Sequence, residues 1–167
     1  MYIQITESIA LCDSTSLNLI PENYYRINCV KYPFHKDDVG YKGCCPMVGH
    51  VEHDIAYRSG HCSINLLNSR EFHRLNPIGV RLAIKKAAEK YETGYVCFVA
   101  NGLDSIAPIM CALFMYYCNL WYGVDMDFNK LMLYMADKVP VFKPKDGQLA
   151  LGVKLFEEIK QKDNLWK

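Results

Sequence analysis

The chain has 167 residues, 51% of them hydrophobic and 22% charged, which is enough apolar material for one domain with a packed core and too much for a disordered segment. Nineteen basic residues against eighteen acidic ones leave a net charge of +1, so there is no electrostatic ground for a nucleic-acid partner or a membrane surface. Eight cysteines would suit a disulfide scaffold in a small secreted protein, but Met1-Tyr2-Ile3-Gln4 has neither the basic start nor the apolar core of a signal peptide, and reduced thiols in a cytoplasmic setting are expected.

Ile3, Ile5, Ile9 and Leu11 predict a β-rich opening, Asp13-Ser14-Thr15-Ser16 a turn or helix cap, and Leu17 to Ile20 a short helical piece. Tyr25-Arg26-Ile27-Asn28-Cys29-Val30 is a strand candidate that ends before Pro33. Between Phe34 and Ser63 no period is visible, and Gly40, Gly43, Pro46, Gly49 and Gly60 read as a long loop inserted at about 34–63. Asn76 caps and Pro77 opens a helix with Val80, Ala83, Ile84, Ala87 and Ala88 inward. Its basic residues Arg81, Lys85, Lys86 and Lys90 read as a solvated face, and it stops at Thr93-Gly94.

Tyr95-Val96-Cys97-Phe98-Val99-Ala100 is a continuous apolar run of strand length, the pattern of a strand covered on both faces. Asn101 to Ser105 then makes a tight loop that feeds an apolar stretch from Ile106 to Val124. That stretch approaches bilayer length, but Pro108, Asn119 and three tyrosines interrupt it and no basic cluster flanks it. A buried central helix is therefore predicted, and no membrane contact. Asp125 or Asp127 caps a helix with Phe128, Leu131, Met132 and Met135 inward, and a last helix presents Leu149, Val153, Phe156 and Ile159 on one side.

The order helix, buried strand, glycine loop, buried helix and two further amphipathic helices is the second half of a small α/β domain. Within it, the segment from Tyr95 to Ile106 resembles the strand, phosphate loop and helix start of the dual-specificity protein phosphatases, whose loop reads His-Cys-x-x-Gly-x-x-Arg-Ser; Gly102 sets the register. The hydrophobic helix Ala107 to Asn119, the helix Asp125 to Lys138, and Pro144-Lys145-Asp146-Gly147-Gln148-Leu149, similar to the family's Pro-Asn-x-Gly-Phe segment, extend the match over residues 64–160. Ile5 to Asp13 resembles the family's first strand and carries it across 1–33, whereas the middle loop does not align. The resemblance implies one domain, 1–167, with the α/β cysteine-phosphatase fold: a central, mostly parallel sheet flanked by helices.

The resemblance also implies which residues would do the chemistry, and those residues are replaced. In the family a cysteine thiolate attacks phosphorus, an arginine grips the equatorial oxygens, and an aspartate protonates the leaving group. In the Gly102 register Val99 stands at the nucleophile, Phe98 at the preceding histidine and Ser105 at the arginine. The acid loop maps to about Leu66-Leu67-Asn68-Ser69, with Asn68 at the aspartate, and an amide has no acidic proton to give. Cys97 lies two residues ahead of the nucleophile position, in the buried strand, where a neutral thiol is expected, as it is for Cys111 and Cys118.

The degenerate loop, Val99, Ala100, Asn101, Gly102, Leu103, Asp104 and Ser105, keeps backbone amides at a helix N-terminus, the usual anion cradle. Asp104 would compete for those donors and repel phosphate, and Ser105 offers a neutral hydroxyl or a cap. Two readings stay open: Asp104 and Ser105 close off the helix end internally, or the loop captures a phosphoprotein.

Cys44, Cys45, His50, His53, His61 and Cys62 are side chains that zinc accepts, but their spacing lacks paired Cys-x-x-Cys knuckles, so loop packing is favoured and no cofactor is expected. The leading expectation is a catalytically inactive phosphatase-like protein that binds a protein partner as scaffold, competitor or regulator, similar to the pseudophosphatases that interact with phosphoserine, phosphothreonine and phosphotyrosine. A metal-dependent or otherwise non-standard hydrolase of phosphate esters or RNA 5′ triphosphates is one alternative. A structural protein that self-associates, as a homodimer for instance, through its tryptophans and tyrosines is another. The abundance of Lys, Asn, Tyr and Ile points to a viral or parasite source.

Overall fold

A computed structural model describes residues 1–29 and 77–167, together with the main chain of 50–52, 55–58 and 61–64. Strands β1 (Tyr2–Thr6) and β2 (Ile9–Asp13) form an antiparallel hairpin, and a short 3-10 turn, Leu17–Leu19, leads to β3 (Tyr24–Asn28). Three short strands, β4 (His50–Glu52), β5 (Ile55–Arg58) and β6 (His61–Ile64), make an antiparallel meander. Then come α1 (Pro77–Tyr91), β7 (Tyr95–Ala100), α2 (Ile106–Tyr117), α3 (Phe128–Lys138), α4 (Asp146–Lys160) and a second 3-10 turn, Asn164–Trp166.

The sheet order is β1-β2-β7-β3-β6-β5-β4. The four inner strands β2, β7, β3 and β6 run parallel, while each outer pairing is antiparallel, so the sheet is mixed, with a parallel centre. β7 lies between β2 and β3 in the parallel part of the sheet, and its apolar run is divided by strand alternation. Val96, Phe98 and Ala100 enter the main core beneath α1 and α2, where the Phe98 and Phe114 ring centroids are 5.4 Å apart. Cys97 and Val99 join Ala10, Cys12, Leu17, Ile20 and Tyr24 in a smaller cluster on the other face. Each fully buried Leu, Ile or Phe contributes about 2–3 kcal/mol, which is why this strand tolerates no polar position.

Four sequence expectations change. The stretch read as an unbroken loop supplies β4, β5 and β6, whose pairing is carried by main-chain hydrogen bonds that no hydrophobic alternation announces. The apolar helix ends at Tyr117, two residues before the expected Asn119, which takes a left-handed turn, φ 56°. At 12 residues α2 is too short to cross a bilayer, and among the described residues no helix is long and apolar enough to do so. On α4 the buried stripe is Gln148, Leu151, Gly152, Leu155 and Phe156, while Val153 is 44% exposed. Arg81, read as solvated, is buried against α4, where it pairs with Glu158. Elsewhere the expected faces hold: Val80, Ala83, Ile84 and Ala87 are fully buried, and Asp127 caps α3 by accepting the Lys130 N–H. No disulfide joins Cys12, Cys29, Cys97, Cys111 or Cys118.

Candidate functional site

The β7–α2 connection opens at the carboxyl ends of the parallel strands, where open α/β sheets place their ligands. Its position is set by pairing on both sides: Val99 lies opposite Cys12 of β2 and Asn28 of β3, and Ala100 opposite Asp13. The Cys29 N–H donates to the Val99 carbonyl at 2.6 Å.

Burial sorts the loop residues. Val99 is fully buried, and Ala100 and Leu103 are turned into the core, so the loop is held by apolar contacts at its start and middle. Asn101 and Asp104 face solvent. The main chain is tied from both flanks, because Ser14 Oγ donates to the Asn101 carbonyl (3.3 Å) and the Lys143 N–H donates to the Asp104 carbonyl (2.6 Å). The Asp104 carboxylate folds back toward Gly102, where Oδ1 would stand 3.2 Å from a Cβ. A negative charge therefore lies over the glycine of the loop.

Ser105 occupies the N-cap position of α2, yet its side chain makes no capping hydrogen bond. Its Oγ instead accepts from Gln148 Nε2 at 3.2 Å, in a site where both residues are buried. Gln148 Oε1 accepts the Lys145 N–H at 2.8 Å, so one buried amide closes the start of α4 and holds the loop. The partner of the Ser105 hydroxyl is thus Gln148 and not a free amide of α2. Sequence reasoning did not single out Gln148. The available signal was its place three residues after Lys145, where a glutamine reaches back to a helix start.

Beside the loop, burial pushes the Asp13 carboxyl up, but hydrogen bonds from the amino terminus (2.8 Å) and from Thr15 outweigh it and hold the group below the usual carboxylate range. Two thiols share a sheet face with a buried guanidinium: Arg26 lies opposite Cys97, and Cys12 is on the next strand but one. The charge of Arg26 draws both thiols toward ionisation, and burial prevails. Cys12 is pushed up to about 11, and Cys97 well above its ordinary value. Burial likewise raises Cys111, and burial followed by Glu92 pushes Cys118 up to about 12. None of these four is a thiolate at neutral pH.

From Ala100 to Ser105 the loop contains no cysteine, arginine, lysine or histidine. Asn68, Cys44, Cys45 and His53 lie outside the described residues. His50 and Cys62 fall in one main-chain row with Tyr57 between them, which places their backbones two strand spacings apart, about 10 Å. His61 follows next to Cys62, opposite Arg26.

No protein-family model and no curated protein sequence matches the chain. Solved structures do. Human DUSP28 is 10% identical, with 96% of this chain and 99% of that one covered at a TM-score of 0.62. PTPMT1 is also 10% identical, with 97% and 98% covered at 0.63. A leucine rich repeat and phosphatase domain containing protein from Entamoeba histolytica is 18% identical, with 98% and 94% covered at 0.54. Identities this low speak for the fold alone, and on that level the chain has the dual-specificity phosphatase-like fold, with β7 and α2 flanking the loop.

Proposed function

We propose that this protein is a non-hydrolytic phosphatase-fold domain that acts by binding a protein partner. One observation carries the reading: the loop between β7 and α2 offers neither a thiol nor a guanidinium, and Val99, at the nucleophile's place in the Gly102 register, is a fully buried aliphatic side chain. Attack on phosphorus needs a thiolate aimed into the cradle and a cation to gather the equatorial oxygens. A thiol pushed up to about 11, as Cys12 is, would be ionised in roughly one molecule in 10⁴ at neutral pH, and it sits in an apolar cluster instead of the loop. Asp104 adds a charge of the wrong sign for a phosphate dianion. Such a domain would serve as scaffold, competitor or regulator in phospho-signalling.

Hydrolysis of an aryl phosphate, with and without chelator, tests this. No turnover above the buffer rate is expected, and clear turnover, chelator-sensitive or not, would overturn the reading. The register itself is tested by Val99→Cys with Asp104→Gly, Ser105→Arg and Asn68→Asp. Because an arginine at position 105 must displace the Gln148 amide, the set is best combined with Gln148→Ala. A folded variant that gained neither turnover nor affinity for inorganic phosphate would count against the register.

A further inference from the structure

The side of α1 that turns away from the core carries an ordered row of charge. Two of its basic residues are used within the fold: Arg81 is tied to Glu158, and Lys90 lies over the Tyr25 ring, 5.3 Å from its centroid. Lys85, Lys86, Glu89 and, just past the helix end, Glu92 line an open groove of about 1330 Å³. Basic residues thus come first and acidic ones last, at the carboxyl end, where the helix dipole disfavours carboxylates. Lys86 offsets one of these by pairing with Glu89 at 2.7 Å. Glu92 is exposed and, among the described residues, in no ion pair.

The facing wall is apolar. It is formed by the end of α2 and the chain just beyond it, with Tyr117, Cys118, Leu120 and Tyr122 along the groove. Tyr122 is 78% exposed and Val124, two residues on, 55%. Single apolar side chains at a surface are ordinary, but these stand together beside a cleft.

With two cations and two anions in its lining, the groove sets two like charges against a partner of either sign. What fits is a surface with the same charges in reverse order, and this surface laid antiparallel on itself is one. Lys85 and Glu92 lie seven positions apart, about 10 Å along the helix. A twofold axis close to Ala88, a small residue of the same groove, sets each Lys85 opposite Glu92 of the second copy and brings the two Lys86–Glu89 pairs together. Lys85 Nζ donates to the Lys167 main-chain oxygen at 2.9 Å, which uses one of its three protons and leaves two for the bridge. One helix about 22 Å long and 10 Å wide is too small for the roughly 800 Å² per side of a standard interface. The contact therefore takes in the apolar wall as well, with Tyr122 of each copy packed in the groove of the other, as a self-complementary twofold contact requires.

We propose that this chain forms a twofold dimer through the outer side of α1 and residues 120–124. The proposal goes beyond the reading of the chain as a non-hydrolytic binding domain and does not depend on it. Sedimentation velocity over a concentration series reads it out: the wild type should pass from monomer to dimer between about 1 µM and 1 mM. Lys85→Glu and Glu92→Lys should each weaken the dimer about tenfold or more, because each sets like charges opposite one another. The two changes combined in one chain should restore it, and an equimolar mixture of the two single variants should form heterodimers. Tyr122→Ser should weaken the dimer while leaving the Tm of the monomer within about 2 °C.

A wild type that stayed monomeric throughout the series would overturn the proposal, as would a dimer indifferent to the single reversals or one that neither the combination nor the mixture restored. A monomer whose groove bound an apolar fluorophore at Tyr122 would also overturn it, in favour of a small apolar ligand. Turnover on aryl phosphate by an intact dimer would remove the claim of inactivity alone, and a monomer without turnover would remove the dimer alone.

Discussion

Glu158→Gln reads the seam between α1 and α4 directly. Arg81 Nε and Nη2 donate to Glu158 Oε1 and Oε2, both at 2.8 Å, with the two side chains only 10% and 13% exposed. Trp166 Nε1 adds a third bond to Oε1 at 3.1 Å. The hydrogen bonds from Arg81 hold the Glu158 carboxyl below the usual carboxylate range, against the opposite push of burial and with help from Trp166, and the same pairing raises Arg81 further. The amide keeps the shape and an acceptor for Trp166 but leaves a nearly buried guanidinium without its counter-charge. Breaking a fully buried pair costs about 3–5 kcal/mol, and the residual exposure here brings the expectation to about 2–3 kcal/mol. In a domain of this size that lowers Tm by roughly 4–12 °C. The carboxyl is depressed in the folded state, so its contribution is complete above the unfolded value of about 4.3 and is lost as pH falls through the folded one. Urea midpoints of wild type and variant should differ at neutral pH and converge in acid. A deficit that stayed constant across that range, or one below about 0.5 kcal/mol, would refute the assignment.

Gly152→Ala places a Cβ 2.6 Å and 2.9 Å from ring carbons of Phe128 and 3.5 Å from Ile109 Cγ2. Overpacking of about 1–3 kcal/mol against a helix-propensity gain of about 1 kcal/mol gives a net loss of up to about 2 kcal/mol in thermal unfolding, and a more stable variant would contradict it. Gln148→Ala removes both the Lys145 and the Ser105 hydrogen bonds and should cost about 2 kcal/mol, whereas Ser105→Ala should cost about 1 kcal/mol; equal losses in urea would argue against the bridge. Iodoacetamide at neutral pH should leave Cys12, Cys97 and Cys111 unmodified in the folded protein, by mass spectrometry of peptides, and a rapidly alkylated Cys97 would undo the argument that burial outweighs Arg26.

The parts of this fold that could be read from sequence are those encoded within a few residues. Pro77 with the Val80, Ala83, Ile84 and Ala87 stripe marks α1, Asp127 marks the start of α3, and the unbroken apolar run of β7 marks a strand covered on both faces. What escaped depends on partners far along the chain. Arg81 sits one residue from the stripe and is buried only because Glu158, 77 positions on, meets it. The meander β4–β5–β6 is defined by pairing, and its residues carry no alternation of their own.

The same division runs through the candidate site. The Gly102 register, and with it the expectation that loop residues are replaced, rests on one short stretch of sequence. How the loop is held is not visible there, because Gln148 reaches Ser105 across 43 positions. The loop between β7 and α2 is fastened along its whole length. Its main chain is fastened by Ser14 and Lys143, its middle is anchored by Leu103, and the position proposed to correspond to the arginine is filled by a buried hydrogen bond. Each fastening stabilises a closed loop, so a thiol and a guanidinium introduced there would have to compete with that packing before either could meet an anion.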